Sequence, residues 1–213
     1  IIQANTEALK AQYGEDPDVK YHPVLRSEEA CFQSTSQAVR LAKETGARLH
    51  IAHVSTAREL ELFSPTPLTT EKHITAEACV AHLFFHCGDY RVLGSRIKCN
   101  PSIKRRPDRD ALRSAVNSGL VDVIATDHAP HSAEEKSRGL AGSAFGVVGI
   151  ETAFAVLYTK LVKENIISLE KLIELLAINP RKRFDIPLGA DYTVWDLDAE
   201  ITVDPEKFLS KGK

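Results

Sequence analysis

The chain has 213 residues, 43% apolar and 26% charged, with a formal net charge of −2, a composition that can bury a substantial globular core. Its 27 basic residues are balanced by 29 acidic ones and form no Lys/Arg-rich block, which argues against a nucleic-acid partner. No apolar run approaches the ~18 residues of a membrane span and no charged-then-apolar leader opens the chain, so a cytoplasmic setting without a membrane partner is expected.

Ile1-Ile2-Gln3-Ala4-Asn5 reads as the interior of an element, and no Met occurs at any position, so an upstream truncation is expected. Residues 28–45 carry Ala30, Val39, Leu41 and Ala42 at mostly helical spacing and end at Gly46, a good C-cap. A strand is expected over 48–54 and a helix over 57–63, broken by Pro65 and Pro67. Residues 73–79 read as the next strand, and 97–100 as a short one closed by Pro101. A helix over 108–118 ends at Gly119 and leads into a strand over 121–125. Two further helices span 151–163 and 168–177, the second capped by Ser168. Last, 191–203 alternates in a way that reads as a β-hairpin. Cys31, Cys79, Cys87 and Cys99 form no CxxC pair, so reduced, mostly buried thiols are expected rather than a zinc knot or disulfide framework.

Four strands separated by helical or loop segments suggest a parallel βα arrangement, and four such units make half of an eight-stranded barrel. The expected fold class is α/β. Residues 1–186 read as the C-terminal half of a (β/α)8 TIM-like barrel whose N-terminal strands lie outside the chain, and 187–213 as part of a small C-terminal β-sandwich.

Each strand delivers a polar residue at or just past its C-terminal end. They are His53, then His82 beyond the second strand, Asn100, and Asp127 with His131 four residues on. Substrates bind at the carboxyl ends of strands in parallel α/β folds. Two imidazoles and a carboxylate at one barrel mouth match the N/O ligand set of a zinc ion. His50 lies three residues from His53 on a strand and points to the other face, which suits a packing or surface role. His22, His73 and His86 read as structural or solvated.

Several segments together carry a resemblance. His53-Val54-Ser55-Thr56, Ile74-Thr75-Ala76-Glu77 with His82-Leu83, Lys98-Cys99-Asn100-Pro101, Ala125-Thr126-Asp127-His128-Ala129-Pro130-His131 and Phe145-Gly146-Val147-Val148-Gly149-Ile150-Glu151-Thr152 resemble, in order, the dihydroorotase family of the amidohydrolase superfamily. The resemblance implies a zinc-containing barrel of amidohydrolase type, with one or two ions, that interconverts N-carbamoyl-L-aspartate and dihydroorotate in pyrimidine biosynthesis. It makes His53 and His82 zinc ligands, Asp127 a ligand that doubles as general base, Asn100 and His131 substrate contacts, and the backbone from Ala144 to Gly146 a contact of the pyrimidine ring. The family's first-strand His-x-His pair with its following Arg, and the Lys or Asp that bridges two metals, do not occur in this sequence and would precede Ile1. Related members often show Pro-His-His-Leu where this chain has Val80-Ala81-His82-Leu83, so His82 is assigned by default.

A hydantoinase, dihydropyrimidinase or allantoinase shares the barrel and metal logic and is the nearest alternative. A non-catalytic amidohydrolase-like scaffold is the alternative of another class. The partner expected is a small-molecule substrate, and homo-oligomerisation is left open by the residues.

Overall fold

The computed structural model describes residues 1–212. Three strands, β1 (Leu49–Ile51), β2 (Ile74–Cys79) and β3 (Val123–Ala125), form one parallel sheet with β2 in the centre. The first half of β2 pairs with β1, from Leu49↔Ile74 to Ile51↔Ala76, and the second half with β3, from Glu77↔Val123 to Cys79↔Ala125. The fold is thus α/β with a parallel sheet. Around it lie α1 (Ile2–Tyr13), α2 (Glu28–Thr45), α3 (Val80–Phe84), α4 (Arg106–Ser118), α5 (Ala153–Leu157), α6 (Leu169–Ile173) and α7 (Asn179–Phe184).

Local chemistry sets the helix ends. Ser27 Oγ accepts the Ala30 N–H at the start of α2 (3.3 Å), Glu28 and Glu29 occupy its first turn, and Gly46 closes it at φ +71°. In α4 the Asp108 carboxylate accepts the Arg105 N–H (3.1 Å) and also the Ala57 N–H (3.1 Å), which ties the helix to the loop beyond β1.

Side chains alternate across β2. Ala76 and Ala78 face the main core with Ile124, Leu112, Val116, Leu157 and Leu172, while Thr75, Glu77 and Cys79 point to the opposite face. That second face is polar. His50 of β1 meets Thr75 Oγ1 through Nδ1 (2.9 Å) and Glu77 Oε2 through Nε2 (3.2 Å), and Arg183 Nε donates to Thr75 Oγ1 (2.8 Å). Near the N-terminal end of the sheet Lys72 and Asp122 form a buried ion pair (2.6 Å), and Asp122 also accepts the Ala76 N–H (3.0 Å).

Several expectations need correction. Residues 97–100 form no strand. Gly94–Ile97 make a 3-10 turn, and the Lys98 carbonyl accepts from Gly146 N (2.9 Å) and Lys136 Nζ (2.7 Å), so a distant loop takes the bonds a neighbouring strand would have used. The helix expected over 57–63 is a 3-10 segment, Arg58–Leu62. Those over 151–163 and 168–177 each change halfway into a wider π-helical stretch, Tyr158–Val162 and Glu174–Ile178. The alternation over 191–203 forms no ladder, in keeping with the marginal stability of a two-stranded hairpin without a third strand; its Trp195 ring instead stacks on Phe154, with centroids 4.1 Å apart. Lys213, the last residue of the expected sandwich segment, lies outside the described residues.

All four cysteines are free, with Cys79 and Cys99 buried. Among the described residues no helix is long and apolar enough to cross a membrane.

Candidate active site

His53 sits two residues past β1 and Asp127 two past β3, and both take the left-handed backbone region, at φ +41° and +48°. Such conformations are uncommon for residues with a Cβ and persist where surrounding bonds hold them. For His53 one holder is Glu77, whose Oε1 accepts the His53 N–H at 3.3 Å, with the Val54 N–H on the Glu77 carbonyl at 2.8 Å. A second is a capping box one turn on. Thr56 Oγ1 accepts the Glu59 N–H (3.1 Å), and the buried Glu59 carboxylate accepts from Thr56 N (3.1 Å), Thr56 Oγ1 (2.9 Å) and Thr35 Oγ1 (2.6 Å).

His53, Glu77, Cys79 and Asp127 share one electrostatic neighbourhood at the strand ends. Burial pushes the Asp127 carboxyl above its ordinary range, His53 pulls it back, and Glu77 adds to the rise. Burial also works to raise Glu77, but the hydrogen bond and charge of His50 outweigh it and hold Glu77 below the usual carboxylate range. The Cys79 thiol is pushed up by burial, and then by Glu77 and Asp127, and stays protonated.

His82 is placed differently. It lies in α3, fully enclosed, with Nε2 on the Pro101 carbonyl (2.9 Å) and Nδ1 buried without a partner. Burial draws its pKa down to about 4, against the opposing pull of the Pro101 bond. The structure therefore brings His53 and Asp127 to one end of the sheet, and His82, with Nε2 on Pro101, lies close enough to His53 for that imidazole to act on its pKa. Among the described residues no three His, Cys, Asp or Glu side chains gather into a metal-holding group.

The expected substrate contacts cluster beside this end. Asn100 Oδ1 is buried without a partner, and Asn100 lines a cavity of about 360 Å³ together with Arg26, Cys31, His50, His53 and Glu59. His131 Nε2 meets the Phe145 carbonyl (3.1 Å), leaving Nδ1 3.6 Å from Glu135. The Ala144 and Gly146 carbonyls both accept from Lys136 Nζ, at 3.0 and 2.8 Å. Gly146 has φ +145°, and a Cβ there would stand 2.4 Å from the Ala129 carbonyl oxygen, so only glycine fits this turn.

Sequence reasoning missed Arg26, Glu77, Lys98 and Lys136. It also missed His128, whose Nδ1 accepts the Gly149 and Ile150 N–H groups (3.1 and 3.3 Å). Glu59 alone had a readable signal, the Thr-x-x-Glu spacing from Thr56.

No family model matches the chain. It is 40% identical over 182 residues to a dihydroorotase of Geobacillus sp. (strain WCH70), covering 82% of this chain and 42% of that protein. With a dihydroorotase of Fusobacterium nucleatum it shares 43% identity over 182 residues, 82% of this chain and 43% of the relative. The chain thus spans well under half the length of these curated relatives. Among solved structures, the L-hydantoinase (dihydropyrimidinase) from Arthrobacter aurescens matches at TM-score 0.77 and 26% identity, over 87% of this chain and 41% of that one. A dihydroorotase from Saccharomyces cerevisiae in complex with 5-fluoroorotic acid matches at TM-score 0.65 and 20% identity, over 76% and 44%, a likeness of fold.

Proposed function

From this homology to curated dihydroorotases, we propose that the chain is the portion of a metal-dependent cyclic amide hydrolase, a dihydroorotase, that carries His53, Asp127 and the substrate-facing loops. One observation carries the reading: His53 and Asp127, which end two strands of the same sheet, are both held in the left-handed backbone region beside the Glu77 carboxylate.

The donor chemistry fits half of a zinc site. His53 and Asp127 offer an imidazole and a carboxylate of the kind zinc takes, two of the three or four protein ligands such a site uses. The His82 assignment has less support, since its Nε2 is engaged with Pro101. A bound zinc ion supplies Lewis acidity toward the ring carbonyl and lowers the pKa of water at the site. The chain's own residues do the rest. Asp127, its carboxyl raised by burial, takes a proton at a carboxylate oxygen and returns it to the ring nitrogen that leaves. Asn100, with Oδ1 unsatisfied, offers an acceptor and a donor to the amide edge of the ring. Lys136 holds the Ala144 and Gly146 backbone in place for ring contact, and His131 meets the substrate from the loop.

In this reading β1 and β3, open edges of the sheet described here, pair with further strands of a (β/α)8 barrel to which 1–186 belongs, and 187–213 belongs to a small β-sandwich. The alternative reading is a hydantoinase or dihydropyrimidinase, since the L-hydantoinase (dihydropyrimidinase) from Arthrobacter aurescens shares the fold at TM-score 0.77 and 26% identity.

The test uses the full-length protein, assayed for zinc and for turnover of dihydroorotate, dihydrouracil and hydantoin. Zinc with preferred turnover of dihydroorotate, and a loss of about 10²- to 10⁴-fold in kcat for Asp127→Asn, is the expected outcome. Preference for a neutral ring transfers the assignment to the hydantoinases, and a zinc-free protein inert toward all three rings refutes the enzymatic reading.

A further inference from the structure

His131 leads into a single turn that Ser132 and Glu135 cap reciprocally. Ser132 Oγ accepts the Glu135 N–H (3.2 Å), Glu135 Oε2 accepts the Ser132 N–H (2.8 Å), and the Lys136 N–H donates to the Ser132 carbonyl (3.0 Å). The same Oε2 atom lies 3.6 Å from His131 Nδ1, an ion-pair distance, while His131 Nε2 lies 3.1 Å from the Phe145 carbonyl. Both ring nitrogens thus face acceptors, one from each of the loops over 131–138 and 143–151. Turning the ring gives up at least one of them, so the imidazole is oriented before anything binds.

Glu135 has a further partner far along the chain. Lys211 Nζ lies 3.1 Å from its Oε2 and 3.3 Å from its Oε1. The residues before Lys211 grip the other loop, where the Leu209 and Ser210 N–H groups donate to the two carboxylate oxygens of Glu151 (3.1 and 3.2 Å). Gly212 follows against Val148, so closely that a Cβ would collide with it. The segment 209–212 belongs to no helix or strand and runs across both loops. Its effect registers on Glu135, whose pKa is lowered to about 2 by the Ser132 N–H first, then by Lys211, and last by His131.

We propose that Glu135 is a positioning residue for His131, and that residues 209–211 form a strap that holds Glu135 in that place while tying the two loops together. A segment remote in sequence thereby sets how His131 meets the substrate. This rests on the cyclic amide hydrolase reading above, in which His131 is a substrate contact.

The experiment measures kcat and KM for dihydroorotate in the full-length protein and in its Glu135→Ala, Lys211→Met, Lys211→Arg and His131→Ala variants. Glu135→Ala is expected to raise KM by about 10-fold. Lys211→Met should raise it by about 2- to 5-fold, the size of a partly exposed ion pair, with kcat nearly unchanged in both variants. Lys211→Arg, which keeps the charge, should restore the wild-type KM. In a His131→Ala background neither Glu135→Ala nor Lys211→Met should raise KM further, because both act through that ring. Where His131→Ala turns over too slowly, orotate binding measured by calorimetry gives the same cycle. A purely structural role predicts effects that persist in the His131→Ala background, so additive losses, or an unchanged KM, overturn the proposal. If Glu135→Ala fails to fold, Lys211→Met decides by the same comparisons. A wild-type protein that hydrolyses no ring refutes the hydrolase reading, and nuclear magnetic resonance then judges the strap separately. Shifted His131 ring resonances in Lys211→Met support the proposal, and unshifted ones overturn it.

Discussion

Replacing Glu77 with Ala removes the acceptor that joins β1 to the loop carrying His53. The carboxylate receives the His53 N–H at 3.3 Å and the Cys79 thiol at 3.7 Å, and it meets His50 Nε2 at 3.2 Å, with only 15% of its side chain exposed. His50 Nε2 faces Glu77 while Nδ1 faces the Thr75 hydroxyl, which itself donates to the Leu49 carbonyl (3.3 Å). Truncation strands the His53 N–H and the His50 ring nitrogen, each worth about 1–3 kcal/mol when left unpaired, and the weaker Cys79 thiol contact. Water entering from the cavity lined by His50 and His53 offsets part of that, so a loss of about 2–4 kcal/mol is expected for Glu77→Ala. Glu77→Gln keeps an oxygen for the His53 N–H but turns an amide group toward His50, and should lose about half as much. Urea denaturation of the full-length protein measures both variants. Combining Glu77→Ala with His50→Ala should show a coupling of about 1 kcal/mol. A Glu77→Ala variant within about 0.5 kcal/mol of wild type, the range of an ordinary surface substitution, would refute the claim that this carboxylate holds His53 in place.

Two other perturbations follow from buried charges. Lys72→Met leaves Asp122 uncompensated in a pair whose side chains are 5% and 4% exposed, and should cost about 3–5 kcal/mol, most of it recovered by adding Asp122→Asn; a double variant as unstable as the single one would contradict this. His22 has its pKa lowered from 6.5 to about 3, chiefly by burial, so between those values the unfolded chain binds a proton that the folded chain refuses. Its contribution is therefore complete above pH 6.5 and is lost as pH falls toward 3, by up to a few kcal/mol. Urea midpoints recorded from pH 7 to 4 should fall less steeply for His22→Gln than for wild type, and parallel slopes would be the contrary result.

Elements governed by neighbouring residues were legible in the sequence. The Gly46 stop of α2, the Gly119 stop of α4 and the apolar run of β3 depend on residues within a turn of one another. The roles of Glu77, Arg26, Lys98 and Lys136 were not legible because their partners are remote: His50 for Glu77, Phe145 for Arg26, Leu140 and Ser143 for Lys98, and Gly146 for Lys136. The failed strand at 97–100 has the same origin. Its apolar spacing suited a strand, yet the Lys98 carbonyl found its donors in the loop near Gly146.

By itself the amino-acid order determined the alternation of helices with strands and the position of Asp127 just past a strand end, whereas the strand expected over 48–54 stops at Ile51 and leaves His53 beyond it. Only the tertiary structure decided which side chains meet there. It set Glu77 against His53, engaged His82 Nε2 with the Pro101 carbonyl, and left Arg26 Nε buried without a partner. Those outcomes depend on sheet register and on loops meeting across long separations, where burial and hydrogen-bond supply, rather than local preference, choose each partner.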